Sequence, residues 1–322
     1  MKVSVIIPNF NHAAFLKQRI ESILNQTYQN FEIIILDDGS TDDSKVIIEF
    51  YRGHKNVSEI IYNEVNSGSV FSQWSKGISI ASGELIWIAE SDDWCENNFL
   101  ETLVSGLKNN PGCSMAIAQT FCVDEKGSIL WQTHYPHLAA CIKGNDFVRE
   151  RMLKHNSVVN AGMAIFRKAC YERVSNEFRT FTFSGDWLFW IELALLGEVF
   201  ITGRLLNFFR SHGNNVTSRA ISTGKSYKEH LKLLSIIRNR EVINQEDFER
   251  LVGFLYKRYL LEKNGFTREE NTMIRQSFHD AFPAGKFGRF LFRFNIFWWR
   301  KRFSIIRKAI FVPRSKPGLK QL

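Results

Sequence analysis

Between Val3 and Asp93, four short apolar runs alternate with three segments of helical spacing. VSVIIP (3–8), FEIIILDD (31–38), VSEIIYNE (57–64) and ELIWIAESDD (84–93) read as strands. HAAFLKQRIESILNQ (12–26) puts Phe15, Leu16, Ile20, Ile23 and Leu24 at helical spacing behind an Asn11 cap. STDDSKVIIEFYR (40–52), capped by Ser40 or Thr41, and VFSQWSKGISIAS (70–82) read as the next two helices. Such an order predicts an α/β fold: a mostly parallel sheet with helices on both faces.

The middle of the chain is mixed. CSMAIAQTFCVDEKGSILW (113–131) reads as two strands turning at Glu125-Lys126-Gly127, and AGMAIFRKACYERV (161–174) as a strand entering a helix. SGDWLFWIELALLG (184–197) is a strongly apolar helix with Gly197 as its expected C-cap. VFITGRLLNFFRSHGNNVTS (199–218) reads as a strand pair ending in a polar loop. From Thr223 the pattern is helical, over 226–240, 245–263, 267–281 and 286–311. At 322 residues and 44% hydrophobic, the chain suits one large domain, 1–218, followed by a helical C-terminal extension, 219–322.

Several classes are set aside. No G-x-G-x-x-G follows the first strand and no Walker A sequence occurs, which weakens dinucleotide and P-loop readings. Five widely spaced cysteines without a C-x-x-C pair suit neither a disulfide framework nor a structural zinc site. The apolar run of MKVSVIIPNFN is short and broken by Pro8 and Asn9, unlike a signal peptide. Nothing reaches eighteen uninterrupted apolar residues.

In open α/β sheets, ligands bind beyond the carboxyl ends of the strands. Here those ends carry Pro8-Asn9, Asp37-Asp38, and Glu90-Ser91-Asp92-Asp93. Acids this close repel one another unless something offsets their charge. A hard divalent cation, Mg²⁺ or Mn²⁺, would do so, taking one or two carboxylates and filling its other positions with water and substrate phosphate. The competing reading is a solvated loop, with Asp93 capping the next helix. Asp38 could accept hydrogen bonds from a nucleobase or ribose, or simply belong to an Asp-Gly turn.

VSVIIPNFNHAAFLKQRIESILNQTYQNFEIIILDDGSTDDS, followed by NSGSVFSQWSKGISIASGELIWIAESDDW, resembles the inverting nucleotide-sugar glycosyltransferases of family 2, which have the GT-A fold. The resemblance covers residues 1–110 almost without gaps and continues more weakly to about 218. It implies a donor half, 1–110, and an acceptor half, 111–218. It implies that Pro8, Asn9, Phe10 and Asp38 flank the nucleoside, with Asn66, Gly68 and Lys76 nearby. Glu90-Ser91-Asp92 stands at the family's D-x-D position, with Glu90 in place of the first Asp. Asp92 would touch metal or ribose, with Asp93 as its competitor. Asp186 stands where the family keeps its catalytic base, preceded by Gly185 where Glu is common. A helix-start acid stabilised by the dipole is the plainer alternative. FRSHGNN (209–215) is similar to the family's R-x-H loop. It implies diphosphate or metal contact by His212, with support from Arg210.

The net charge of +9 is local: Pro283–Leu322 contains Lys and Arg but no Asp or Glu. In KFGRFLFRFNIFWWRKRFSIIRK (286–308), Arg289, Arg293, Arg300 and Arg307 share a stripe, apart from Phe287, Phe290, Phe294, Trp298 and Ile305. This pattern suits a helix in a membrane interface, expected at the cytoplasmic face of the cell membrane, or one packed on protein, including a second subunit. A nucleic-acid role is disfavoured because no recognition fold accompanies the tail. The expected partners are a nucleoside-diphosphate sugar, with UDP favoured, and a saccharide or lipid-linked acceptor in surface polysaccharide assembly. A catalytically inactive nucleotide-sugar binder or membrane scaffold on the same fold is the competing function.

Overall fold

β1 (Val3–Asn9) and β2 (Phe31–Asp37) are buried along their whole length. Burial on both faces explains why they run apolar without alternation. The structure, a computed structural model, describes residues 1–211 and 223–282, with 286, 288 and 290 beyond. His212 and nearly all of the basic tail lie outside the described residues. The chain divides into two compact units, 1–221 and 222–322.

In the first unit one sheet runs β3-β2-β1-β4-β9-β6-β10-β5. β3 (Val57–Tyr62), β2, β1 and β4 (Leu85–Ile88) are parallel. β9 (Ala164–Arg167) is antiparallel to both β4 and β6 (Cys113–Val123), and β10 (Glu198–Arg210) is parallel to β6. β5 (Trp94–Cys95), β7 (Ile129–Gln132) and β8 (Ala139–Lys143) add antiparallel edges. α1 (Ala13–Leu24), α2 (Ser44–Phe50) and α4 (Phe99–Asn109) cover one face, packing on Val5, Ile7, Ile33, Ile35 and Trp87. On the other face lie α3 (Val70–Ile80) and α7 (Gly185–Leu195), where Trp74 meets Phe189 and Trp190. Short α5 (Gly144–Phe147) and α6 (Lys168–Tyr171) fall between α4 and α7 along the chain.

Local details correct several expectations. Asn11 is not a helix cap: its φ is +55° and its Oδ1 accepts from Thr41 N, while His12 precedes α1. Ser40 and Thr41 serve that same turn, so α2 begins only at Ser44. α4 carries its own apolar stripe, Phe99, Leu100, Leu103, Val104 and Leu107, which the reading above left unassigned. The expected strand pair beginning at 199 is one strand, β10, with register shifts at Ile201/Leu205 and Leu205/Asn207. A bulged strand bends without turning back, which mimics a hairpin in sequence. Gly197 is not a left-handed cap: a Cβ there would lie 2.6 Å from Gly112 O, so close strand approach demands it. The five cysteines are free, with Cys113 Sγ 3.5 Å from Cys141 Sγ.

In the second unit α8 (Lys225–Asn239), α9 (Gln245–Glu262) and α10 (Arg268–Asp280) pack around Tyr227, Tyr259 and Phe278. Asn244 caps α9, and Thr267 with Glu270 closes a capping box on α10. Among the described residues, no helix is long and apolar enough to cross a membrane.

Glu32 fastens the end of the sheet opposite the site. It accepts from Lys2 Nζ (2.7 Å), Ser4 Oγ (2.5 Å) and Ser82 N (2.7 Å). Burial acts to raise its pKa, but these donors together hold it at about 2, against an ordinary 4.5. A depressed carboxyl pKa stabilises the fold above the unfolded value, and that stability disappears as pH falls through the folded one. Glu32→Gln should therefore cost about 2 kcal/mol at pH 7, discounted because Lys2 is partly exposed. Urea melts should show the gap from wild type closing between about pH 4.5 and about pH 2. A gap unchanged across that window would refute the ionic account.

Candidate active site

The parallel register brings the ends of β1, β2 and β4 to one edge. Asn9 pairs with Asp37 in the β1/β2 ladder, and its Nδ2 donates to Asp37 Oδ2 (2.8 Å) and Ser40 Oγ (3.2 Å). Pro8 and Asn9 are buried, whereas Phe10 is 44% exposed. Asp38 is buried and fully engaged. Its Oδ1 accepts from Asn63 Nδ2 (2.6 Å), Ser67 N (3.0 Å) and Gln73 Nε2 (2.8 Å), and its Oδ2 accepts from Ser67 Oγ (2.7 Å). Lys76 Nζ donates to Asn63 Oδ1 (2.6 Å), so it reaches Asp38 through Asn63. Asn66 and Gly68 are exposed and bonded to each other across the loop, Gly68 N to Asn66 Oδ1 (2.7 Å).

After β4 the chain turns through Glu90–Asp93 into β5. Glu90 Oε1 accepts from the Trp74 indole (3.2 Å). Desolvation, then the Asp92 and Asp93 charges, push its pKa up to about 8. Ser91 is buried, its Oγ 2.8 Å from His12 Nδ1. Asp92 is partly exposed. Asp93 is buried, with Oδ2 accepting from Asn160 Nδ2 (2.7 Å) and Oδ1 from Arg210 N (2.8 Å). Its pKa is raised by desolvation and by Asp92, against the pull of Arg19. Arg19 lies fully buried over the Trp87 ring, its Nε bonded to Glu90 O (2.9 Å) and its terminal nitrogens without hydrogen-bond partners. It serves as an internal counter-charge. The helix-cap reading of Asp93 fails, because α4 starts at Phe99 behind Asn98 with no side-chain cap.

Among the described residues, Cys113, Cys141 and Glu198 are the one group whose three ligand atoms converge closely enough for a metal. The acid turn is not a closed cage. It does suit a hard cation that keeps positions open for water and phosphate, for which one or two carboxylates suffice. The mutual repulsion acting on Glu90 is what such a charge would relieve.

Asp186 sits in the first turn of α7, partly exposed, with Oδ2 accepting from Asn156 Nδ2 (2.8 Å). The preceding Gly185 has a packing reason: a Cβ there would stand 2.3 Å from Phe178 O and 2.6 Å from the Phe71 ring. One segment, 151–163, ties this helix to the acid turn. Met152 O accepts from Trp187, Asn156 holds Asp186, Asn160 holds Asp93, and Gly162 O accepts from Trp87. Arg210 closes the other side. It lies 4.5 Å from both the Phe15 and Trp94 rings, bonded to Asp92 O, Glu125 O and Gln18 Oε1. These contacts make it a fastener of the turn. His212 lies outside the described residues.

Sequence reading missed His12, Arg19, Asn63, Ser67, Gln73, Asn156 and Asn160. Arg19 alone left a trace, as a charge within the apolar stripe of α1. The amides carry no signal until the fold brings them to a carboxylate.

Comparisons with known proteins give the family and the fold. The family model for glycosyl transferase family 2 matches residues 4–175. Glycosyltransferase GlyG of Streptococcus pneumoniae is 43% identical over 101 residues, 31% of this chain and 33% of GlyG. The chain thus matches about a third of that relative's length. Poly(ribitol-phosphate) beta-N-acetylglucosaminyltransferase TarP of Staphylococcus aureus is 28% identical over 268 residues, 78% of this chain and 77% of TarP. The structure of S. aureus TarS 1–349 with UDP-GlcNAc shares the fold, with TM-score 0.69 at 18% identity, covering 87% of this chain and 80% of that one. With more than half its length matched, including the first four strands and the acid turn, this chain belongs to glycosyl transferase family 2.

Proposed function

We propose that the chain is an inverting, divalent-cation-assisted glycosyltransferase. It moves a sugar from a nucleoside diphosphate, with UDP favoured, to a hydroxyl of a saccharide or lipid-linked saccharide in surface polysaccharide assembly. The observation that carries this is the 151–163 segment, which hydrogen-bonds through Asn160 to the acid turn and through Asn156 to Asp186. A donor-side acid cluster and a partly exposed carboxylate are thereby held in one framework.

In this reading Phe10 and the 63–68 loop, the latter anchored on buried Asp38, receive the nucleoside. Asn63, Ser67 and Gln73 fix Asp38, and Lys76 fixes Asn63. Asp92, with Glu90 beside it, would hold Mn²⁺ or Mg²⁺, which when bound offsets negative charge on the departing diphosphate. Asp93 and Arg210 keep the turn in shape. Asp186 takes the proton from the acceptor hydroxyl as that oxygen attacks the anomeric carbon opposite the leaving group. Asn156 aims the carboxylate. The basic and aromatic pattern of 286–311 supports docking at a membrane surface, where a lipid-linked acceptor would be held.

Calorimetry with UDP, GDP and dTDP, each with and without Mn²⁺, tests the donor site. One nucleotide should bind, at least tenfold tighter with Mn²⁺, and Asp92→Asn should abolish that gain. Binding indifferent to both metal and mutation would remove the cation from the reading. Binding of none of the three would remove the donor site.

A further inference from the structure

Cys113 opens β6, Glu198 opens β10, and Cys141 sits in the middle of β8. Glu198 pairs with Cys113 in the parallel β10/β6 ladder, while Cys141 pairs with Phe200 on the other side of β10. The three side chains converge. The sulfurs are 3.5 Å apart, and a carboxylate oxygen of Glu198 lies within 4.8 Å of both. Cys113 is buried, Glu198 partly exposed and Cys141 exposed, so the group is sealed on one side and open to solvent on the other. Lys143 stands opposite Glu198 in the β10/β8 ladder, yet among the described residues no cation pairs with this carboxylate. The two cysteines are 28 residues apart in sequence, so no metal-binding spacing announces them.

We propose that Cys113, Cys141 and Glu198 form a binding site for a thiophilic divalent cation, with zinc as the expected occupant. Two thiolates and a carboxylate are a zinc donor set, whereas Mg²⁺ and Mn²⁺ prefer oxygen ligands throughout. Sulfurs held about 2.3 Å from a tetrahedral ion stand about 3.8 Å apart, close to the 3.5 Å found here. A direct sulfur–sulfur bond fits less well. A disulfide joins backbones up to about 7 Å apart, whereas β6 and β8 flank β10 at two strand spacings, roughly 9 Å. Both thiols release their protons to solvent on binding, which leaves the site with one surplus negative charge. Arg167 meets that surplus: its Nε donates to Cys113 O (2.7 Å), and its charge acts on the Cys113 sulfur. The fourth position, on the exposed side, is left to water. The ion would clamp β6, β8 and β10 together. It lies at the opposite end of β10 from Arg210, and so is separate from any cation at the acid turn.

Cobalt(II) is the probe, because thiolate ligation gives a near-ultraviolet charge-transfer band that the oxygen ligands of the acid turn cannot produce. The untagged full chain, reduced and freed of metal, should bind one equivalent with this band. Zinc should displace the cobalt, and excess Mn²⁺ should not. Cys141→Ser should weaken cobalt binding roughly 100-fold and Glu198→Gln about tenfold, while Cys170→Ser should leave it unchanged. Cys141 is exposed, so its replacement leaves the core intact and the comparison with wild type is direct. Absence of the band in wild type, with all five thiols counted free beforehand, overturns the site. An undiminished band in Cys141→Ser overturns it as well.

Discussion

Asp186→Asn is expected to lower sugar transfer about 10³-fold while leaving nucleotide affinity within about twofold. The asparagine keeps the size of the side chain and an oxygen for the Asn156 amide, which now donates to Oδ2 at 2.8 Å. It cannot accept a proton from an attacking hydroxyl. The helix start should survive, since Gly185 and the Trp187–Met152 contact are untouched. Asn156→Ala leaves the carboxylate but removes its aim, so a smaller loss of about 10- to 100-fold is expected. The readout is single-turnover transfer at saturating donor, with UDP affinity measured alongside. Turnover within tenfold of wild type in Asp186→Asn would reduce Asp186 to a helix-start acid. Absence of transfer in wild type, with UDP still bound, would favour the non-catalytic binder.

The first four strands were legible because their physics is local. Strands buried on both faces must be apolar throughout, and polar residues at their ends must face the ligand edge. Val3–Asn9 and Phe31–Asp37 obey this within a residue, whereas the fourth strand starts as expected but ends at Ile88, five residues before Asp93. The three helices after Gly224 were equally readable from their helical pattern. β10 was not. Its register shifts between Ile201 and Asn207 place Thr202-Gly203-Arg204 where a turn would stand, and only pairing with both β6 and β8 shows that the strand continues. The acid turn was legible as charge but not as a division of labour. Nothing local distinguishes Asp92 from Asp93. The distinction is made by Asn160 and the Arg210 backbone, 67 and 117 residues away in sequence, which together engage Asp93.

That division of labour makes Arg210 the most informative second substitution. A diphosphate ligand and a structural fastener predict different outcomes. Nε, Nη1 and Nη2 each have a protein acceptor, at 2.9, 3.0 and 2.8 Å, and the guanidinium lies between Phe15 and Trp94. Trp94 in turn stacks on Phe208 with centroids 4.8 Å apart, linking the turn to β10. Arg210→Ala would leave Asp92 O, Glu125 O and Gln18 without this donor and open a gap between two rings. The expected cost is about 3 kcal/mol, or roughly 6–12 °C in Tm for a unit of this size. Nucleotide affinity should fall with it, because the turn bearing Asp92 loses its support. Arg210→Lys should rescue little of either, since one ammonium cannot reproduce a planar fork stacked between rings. A diphosphate ligand would behave otherwise: affinity would drop while Tm held, and lysine would restore much of the binding. Parallel melts and UDP titrations on both variants decide between them, and a Tm unchanged in Arg210→Ala would return Arg210 to the donor's phosphates.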